Sequence, residues 1–248
     1  MKCVLLCAIL LLSWFNQSAS TAHYQKNNQT TDSIQKTMKV HQVLEGFSNP
    51  PLELISETLD QDVAPLKLET VNWEAFPYLP EVSVQIAYND DELFLQYKVN
   101  EQSVKAEEGA SNGKVWTDSC VEFFLSPDRN DVYYNLEMNC IGTALLGYRK
   151  KGDPTEHASA ELINSIRRIS TLGSATFPEK KEQTQWQVTV AIPWKAFFKH
   201  DLKPVKGRKM RGNFYKCGDE LSVPHFVSWT KIDTEKPDRK STRLNSSH

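Results

Sequence analysis

The sequence has no excess of charge of either sign: 29 Lys and Arg stand against 31 Asp and Glu, a formal net charge of −2. A basic footprint for duplex nucleic acid is therefore missing, and so is the acidic surplus of a solvating tail. Only five cysteines occur, none in CxxC spacing. Spacing thus predicts neither a disulfide framework nor a structural zinc site. There is no GxSxG, HExxH, P-loop or GxGxxG in a βαβ setting, so the hydrolase, metalloprotease and nucleotide-binding signatures are absent. The interior carries no repeat, no long amphipathic helix and no apolar run of membrane-spanning length. What remains is ordinary globular text, 40% hydrophobic and 24% charged, enough for one domain of roughly 200 residues.

The ends read differently from the middle. Met1-Lys2 leads into the apolar stretch 3–15, followed by the small residues Ser18, Ala19, Ser20, Thr21 and Ala22. That stretch is too short to span a bilayer as a helix and reads as a secretory signal peptide over 1–22. The expected product is secreted or periplasmic, with no membrane span after cleavage. Cys3 and Cys7 leave with the signal. Cys120, Cys140 and Cys217 stay, and at least one is expected to be a buried free thiol. Residues 23–44 are polar and read as a flexible leader. Residues 239–248 fall into Ser, Asn, Thr and Arg without apolar periodicity and are excluded from the fold as a non-native tail.

Between these ends the pattern is short strands with frequent turns. Residues 82–88 and 93–99 alternate around the acidic turn Asn89-Asp90-Asp91-Glu92, which predicts a hairpin. Val82, Val84, Ile86 and Tyr88 share one face, and Leu93, Leu95, Tyr97 and Val99 share one on the return. Residues 115–125 and 133–141 read as a second strand pair. Leu136, Met138 and Cys140 belong to an apolar face; Trp116, Asp118, Glu122, Glu137 and Asn139 belong to faces expected to be wet. Further strands are expected at 163–172, 186–192, 213–215 and 226–229, with two helical turns over 194–200. The fold class that follows is all-β, an antiparallel β-sandwich of immunoglobulin-like or jelly-roll-like kind with short helical segments only.

Three chemistries compete for the polar residues. Glu122 and Glu137 on adjacent strands have the makings of a glycoside hydrolase pair, although polar sheet faces carry acids routinely. Met138 and His225 are the only pair suited to haem, but Met138 sits in an apolar row. The turns at 89–92 and 128–131 are oxygen-rich enough for calcium, though turn chemistry alone accounts for them. No catalytic residue and no cofactor is assigned. Trp116 shares a strand face with Glu122, and Trp229 lies in a loop-rich segment. An indole packs on the C–H patch of a sugar while acids and amides bond its hydroxyls. The alternative for each tryptophan is core filling, which is favoured for Trp73, Trp186 and Trp194.

The ordered set VWTDSCVEFF, YYNLEMN and NFYKCGD…PHFVSW resembles carbohydrate-binding module family 9-like proteins, part of the wider DOMON-like β-sandwich group. The resemblance covers 45–238. It implies a non-catalytic, exported, monomeric protein that binds a polysaccharide or oligosaccharide and supports carbohydrate catabolism alongside separate hydrolases. It further implies that Trp116 and Trp229 sandwich the sugar while Glu122 and Asn139 bond its hydroxyls. The arginine that such sites also use has no evident counterpart in the text, and the final strand expected after Pro237 is missing. A structural or partner-binding envelope protein is the remaining alternative.

Overall fold

A computed structural model describes residues 36–128, 131–232 and 234. The expected signal peptide, most of the leader, the 239–248 tail, and Arg129 and Asn130 of the second calcium turn lie outside the described residues. In chain order the structure runs β1 (His41–Gln42), α1 (Leu52–Asp62), β2 (Leu66–Lys67), β3 (Thr70–Val71), β4 (Glu81–Tyr88), β5 (Glu92–Glu101) and β6 (Val104–Ala106). It continues with β7 (Cys120–Ser126), β8 (Val132–Asn139), β9 (Ala144–Lys150), β10 (Glu156–His157), α2 (Ala160–Ser165) and β11 (Arg167–Ser170). The chain then forms β12 (Phe177–Lys180), β13 (Thr184–Pro193), β14 (Arg211–Cys217) and β15 (Phe226–Ser228).

Two sheets form a sandwich. One has the order β1-β4-β5-β13-β11, with β2 also on β4; the other runs β10-β9-β8-β7-β14-β15-β3. Pairing is antiparallel except for β1 on β4. The alternation in 82–99 forms the expected hairpin, with Val84 opposite Tyr97 and Ile86 opposite Leu95. Their side chains meet Phe123, Leu136, Met138 and Phe214 of the second sheet in one core. A period of two with one apolar face leaves a strand no other way to bury its side chains.

The text misses α1. Leu52, Ile55 and Leu59 repeat at helical spacing after Pro51, and Glu53 sits favourably in the first turn. Ile55 and Leu59 cover Ala87, Phe94 and Ala191 on the outer face of the first sheet. Gln85 Nε2 donates to the carbonyls of Leu59 (2.7 Å) and Val63 (2.9 Å), so a sheet side chain ties down the end of the helix and satisfies the Val63 carbonyl beyond it.

Other elements shift. The strand expected from 115 begins at Cys120, because residues Val115–Thr117 form a single 3-10 turn. The loop before it is pinned by Asp118, which accepts the N–H groups of Glu107 and Glu108. The expected strand at 163–172 is shortened to β11, because α2, capped by Ser159, takes the chain as far as Ser165, and the helix expected at 194–200 is one 3-10 turn, Trp194–Ala196. Residues 41–42 of the expected flexible leader are held as β1 against β4. No helix among the described residues is long and apolar enough to cross a membrane.

A polar knot lies inside the sandwich. Lys216 Nζ pairs with Glu101 Oε2 at 2.8 Å and donates to His225 Nε2 at 2.8 Å, while Trp186 Nε1 donates to Glu101 Oε1 at 2.7 Å. All four residues are buried. Burial and the neighbouring Lys216 charge hold the His225 imidazole well below its usual range, so it stays neutral and accepts from Lys216. His225 and Met138 are therefore committed to this knot and to the core, respectively.

Candidate functional site

The outer face of the second sheet is not the wet surface its acids predict. Cys120, Phe124, Leu145, Tyr215, Cys217 and Phe226 are buried there, and the half-buried Trp73, Phe76, Trp116 and Tyr133 pack against them. Strand register sets a row of ionisable groups into this layer. Glu122 on β7 stands directly opposite Glu137 on β8 and Tyr215 on β14, and one step along, Cys120 stands opposite Cys217.

The two acids are each 5% exposed. One amide joins them: Asn135 Nδ2 donates to Glu122 Oε2 (2.9 Å) and to Glu137 Oε1 (2.8 Å). Cys217 Sγ donates to Glu122 Oε1 at 3.3 Å. Burial pushes the Glu122 carboxyl up to about 7, the Asn135 and Cys217 hydrogen bonds opposing it, with Asp219 raising it and Arg149 lowering it. Glu137 is also raised, by burial first and then by the Glu122 charge. Burial and neighbouring acids move the Cys120 thiol up to about 12. Asn135 Oδ1 is buried and has no hydrogen-bond partner among the described residues, an acceptor waiting for a donor.

Trp116 borders this row. Its indole is half-buried, and its carbonyl accepts from the Asp219 N–H (3.1 Å) and approaches the Cys217 thiol at 4.0 Å. The same thiol touches Glu122, so the 3-10 turn brings the Trp116 main chain near the acid without the shared strand face that the text suggests. Trp116, the buried Glu122 and the partly exposed Arg149 and Asp219 thus bring an aromatic ring, a carboxyl and two charged groups into one layer.

The other two expected residues are elsewhere. Asn139 is fully buried, donates to Asp118 Oδ2 and the Glu108 carbonyl, and accepts the Thr143 N–H. It clasps the β8–β9 turn to the loop before β7 and has no hydroxyl-binding capacity left over on its amide N–H groups. Trp229 continues the alternation of β15: Phe226 faces outward, Val227 inward, and Trp229 packs inward edge-on to Phe214 at 5.9 Å. It is 8% exposed and lies on the opposite side of the sheet from Trp116. Trp73 is the second indole of the outer layer; it packs on Phe226 at 5.6 Å. Arg149 stands opposite Tyr133 in the β8–β9 pair, and its charge acts on the Glu122 and Glu137 carboxyls. Only the register β8–β9 places it near the acids.

The first candidate calcium turn is occupied by its own hydrogen bonds. Asn89 Oδ1 accepts from the Asp91 and Glu92 N–H groups, and Glu92 pairs with Arg167 at 2.6 Å.

The model of carbohydrate-binding family 9 matches residues 53–244. The chain is 40% identical to a candidate carbohydrate-binding protein from Bacteroides uniformis; the match has a TM-score of 0.79 and covers 84% of this chain and 95% of that one. Two structures of a family 9 module from Caldicellulosiruptor kristjanssonii, in complex with cellotriose and with glucose, are 10% and 11% identical, with TM-scores of 0.48 and 0.49. Those matches cover 77% and 79% of this chain and 84% and 91% of the modules. No curated protein matches.

Proposed function

The chain belongs to carbohydrate-binding family 9, and from that premise we propose that it is an exported protein that binds a carbohydrate at Trp116. The observation that supports this most directly is the half-buried Trp116, whose carbonyl lies 4.0 Å from the Cys217 thiol that bonds the buried Glu122. The indole takes the C–H patch of a sugar ring, and Glu122 accepts from its hydroxyls. Arg149 and Asp219 supply further donors and acceptors around the sugar. Stacking adds about 0.5–1.5 kcal/mol beyond area burial, so affinity in the micromolar to millimolar range is expected. The apolar stretch at 3–15 supports export, and a role in carbohydrate breakdown would be that of capture for separate hydrolases.

Hydrolysis by Glu122 and Glu137 fits the geometry less well. Both acids bond the same amide nitrogen, which leaves no room for a sugar ring and a glycosidic oxygen between them.

The test is Trp116→Ala in the purified protein. Retention on a glycan array should be lost while the far-UV spectrum stays unchanged. Retention equal to wild type would reject the site.

A further inference from the structure

We propose that Cys120, Cys217 and Glu122 form a binding site for a thiophilic divalent cation, zinc in the first instance, at the floor of the outer layer. The inference goes beyond sugar binding and stands without it, though Glu122 belongs to both.

The geometry carries it. One ligand atom from each of the three residues falls within 4.8 Å of the other two. A tetrahedral zinc with thiolate sulfurs at about 2.3 Å needs its donors roughly 3.3–3.8 Å apart, so contraction by about an ångström or less completes the set. Side-chain rotation supplies that without moving the strands. Cys120 and Cys217 are fixed as cross-strand neighbours by the β7–β14 register, and their sulfurs lie within 4.8 Å of each other. Cys217 Sγ lies 3.3 Å from Glu122 Oε1.

The surroundings match what a metal centre needs. The second oxygen of Glu122 is oriented by Asn135, the kind of outer support that fixes a ligating carboxylate. A fourth ligand can come from water or from Glu137, held by the same amide. Asn135 Oδ1 is the buried acceptor without a partner, and a metal-bound water would supply the hydrogen. Two thiolates and a carboxylate carry three negative charges. Zinc and the neighbouring Arg149 offset them, with Asp219 and Glu137 as the remaining acids nearby. Soft sulfur donors select zinc or cadmium over calcium and magnesium.

The experiment uses the full chain, stripped with chelator under a thiol-free reductant, then titrated with zinc chloride by calorimetry and with cobalt(II) by absorption. The expected results are one zinc per chain, a thiolate-to-cobalt charge-transfer band, and loss of both in Cys120→Ser and in Cys217→Ser. Glu122→Gln should weaken zinc at least tenfold, and Cys140→Ser should not change it. Trp116→Ala keeps every ligand and should bind zinc as wild type does, whatever its effect on sugar. No zinc uptake by the reduced wild type, no cobalt band, or undiminished uptake in Cys217→Ser would overturn the assignment. So would protein purified without reductant in which Cys120 and Cys217 are joined to each other and stay so under zinc. The wild-type cobalt spectrum decides the matter even if a serine variant fails to fold.

Discussion

Glu122 shows how position changes the meaning of a residue. As text it is a solvated acid; in the structure it is buried, and its carboxyl is raised to about 7 against an ordinary 4.5. A raised carboxyl means that the folded protein holds its proton more tightly than the unfolded chain does. The stability so gained is complete below about pH 4.5 and is lost as pH rises through about 7. With chelator present, unfolding free energy should fall over that window by on the order of 1–3 kcal/mol, and Glu122→Gln should flatten the slope. Urea melts at half-unit pH steps would measure it; an equal slope in the variant would place the linkage elsewhere. Trp229 makes the complementary case. Packed between the sheets, its replacement by Ala should cost about 3–5 kcal/mol, whereas Trp229→Phe should fold and retain sugar as wild type does. A binding loss in the stable Phe variant would contradict the inward packing.

Elements were legible where one rule decided them. The hairpin of β4 and β5 follows from strict alternation, and β13 likewise falls where apolar residues recur at every second place. The helix α1 was not legible, because four apolar positions in 11 residues, Leu52, Leu54, Ile55 and Leu59, make a weak signal until a sheet surface exists to receive them. That surface is Ala87, Phe94 and Ala191, so Ile55→Ala should cost roughly 2–5 kcal/mol, read as a lower urea midpoint. The start of β7 was misplaced for a related reason. Residues 115–119 have strand-like text, but Asp118 spends its oxygens on the N–H groups of Glu107 and Glu108 and holds the chain in a turn. That turn is what sets Trp116 against the outer layer.

At the scale of the molecule, the two sheets share one core, and the Lys216–Glu101–His225 knot crosses it from β14 to β5. Removing the cation leaves a buried acid uncompensated. Lys216→Ala should therefore destabilise the sandwich by about 3–5 kcal/mol, and unfolding followed by near-UV and far-UV circular dichroism should lose both sheets in a single coincident transition. Separate transitions would mean that the sheets are not one cooperative unit.

The amino-acid order by itself settled what depends on neighbours along the chain: a period of two, turn residues between runs, and hence an antiparallel sandwich. It did not settle which side of a sheet is open, since burial depends on what other segments lay over it. The tertiary structure decided that the outer face is roofed, that Trp229 turns inward and Asn139 is consumed by a turn, and that Cys120 and Cys217 meet. Those contacts come from register between strands remote in sequence, which hydrogen bonding and core packing fix together and no local pattern encodes.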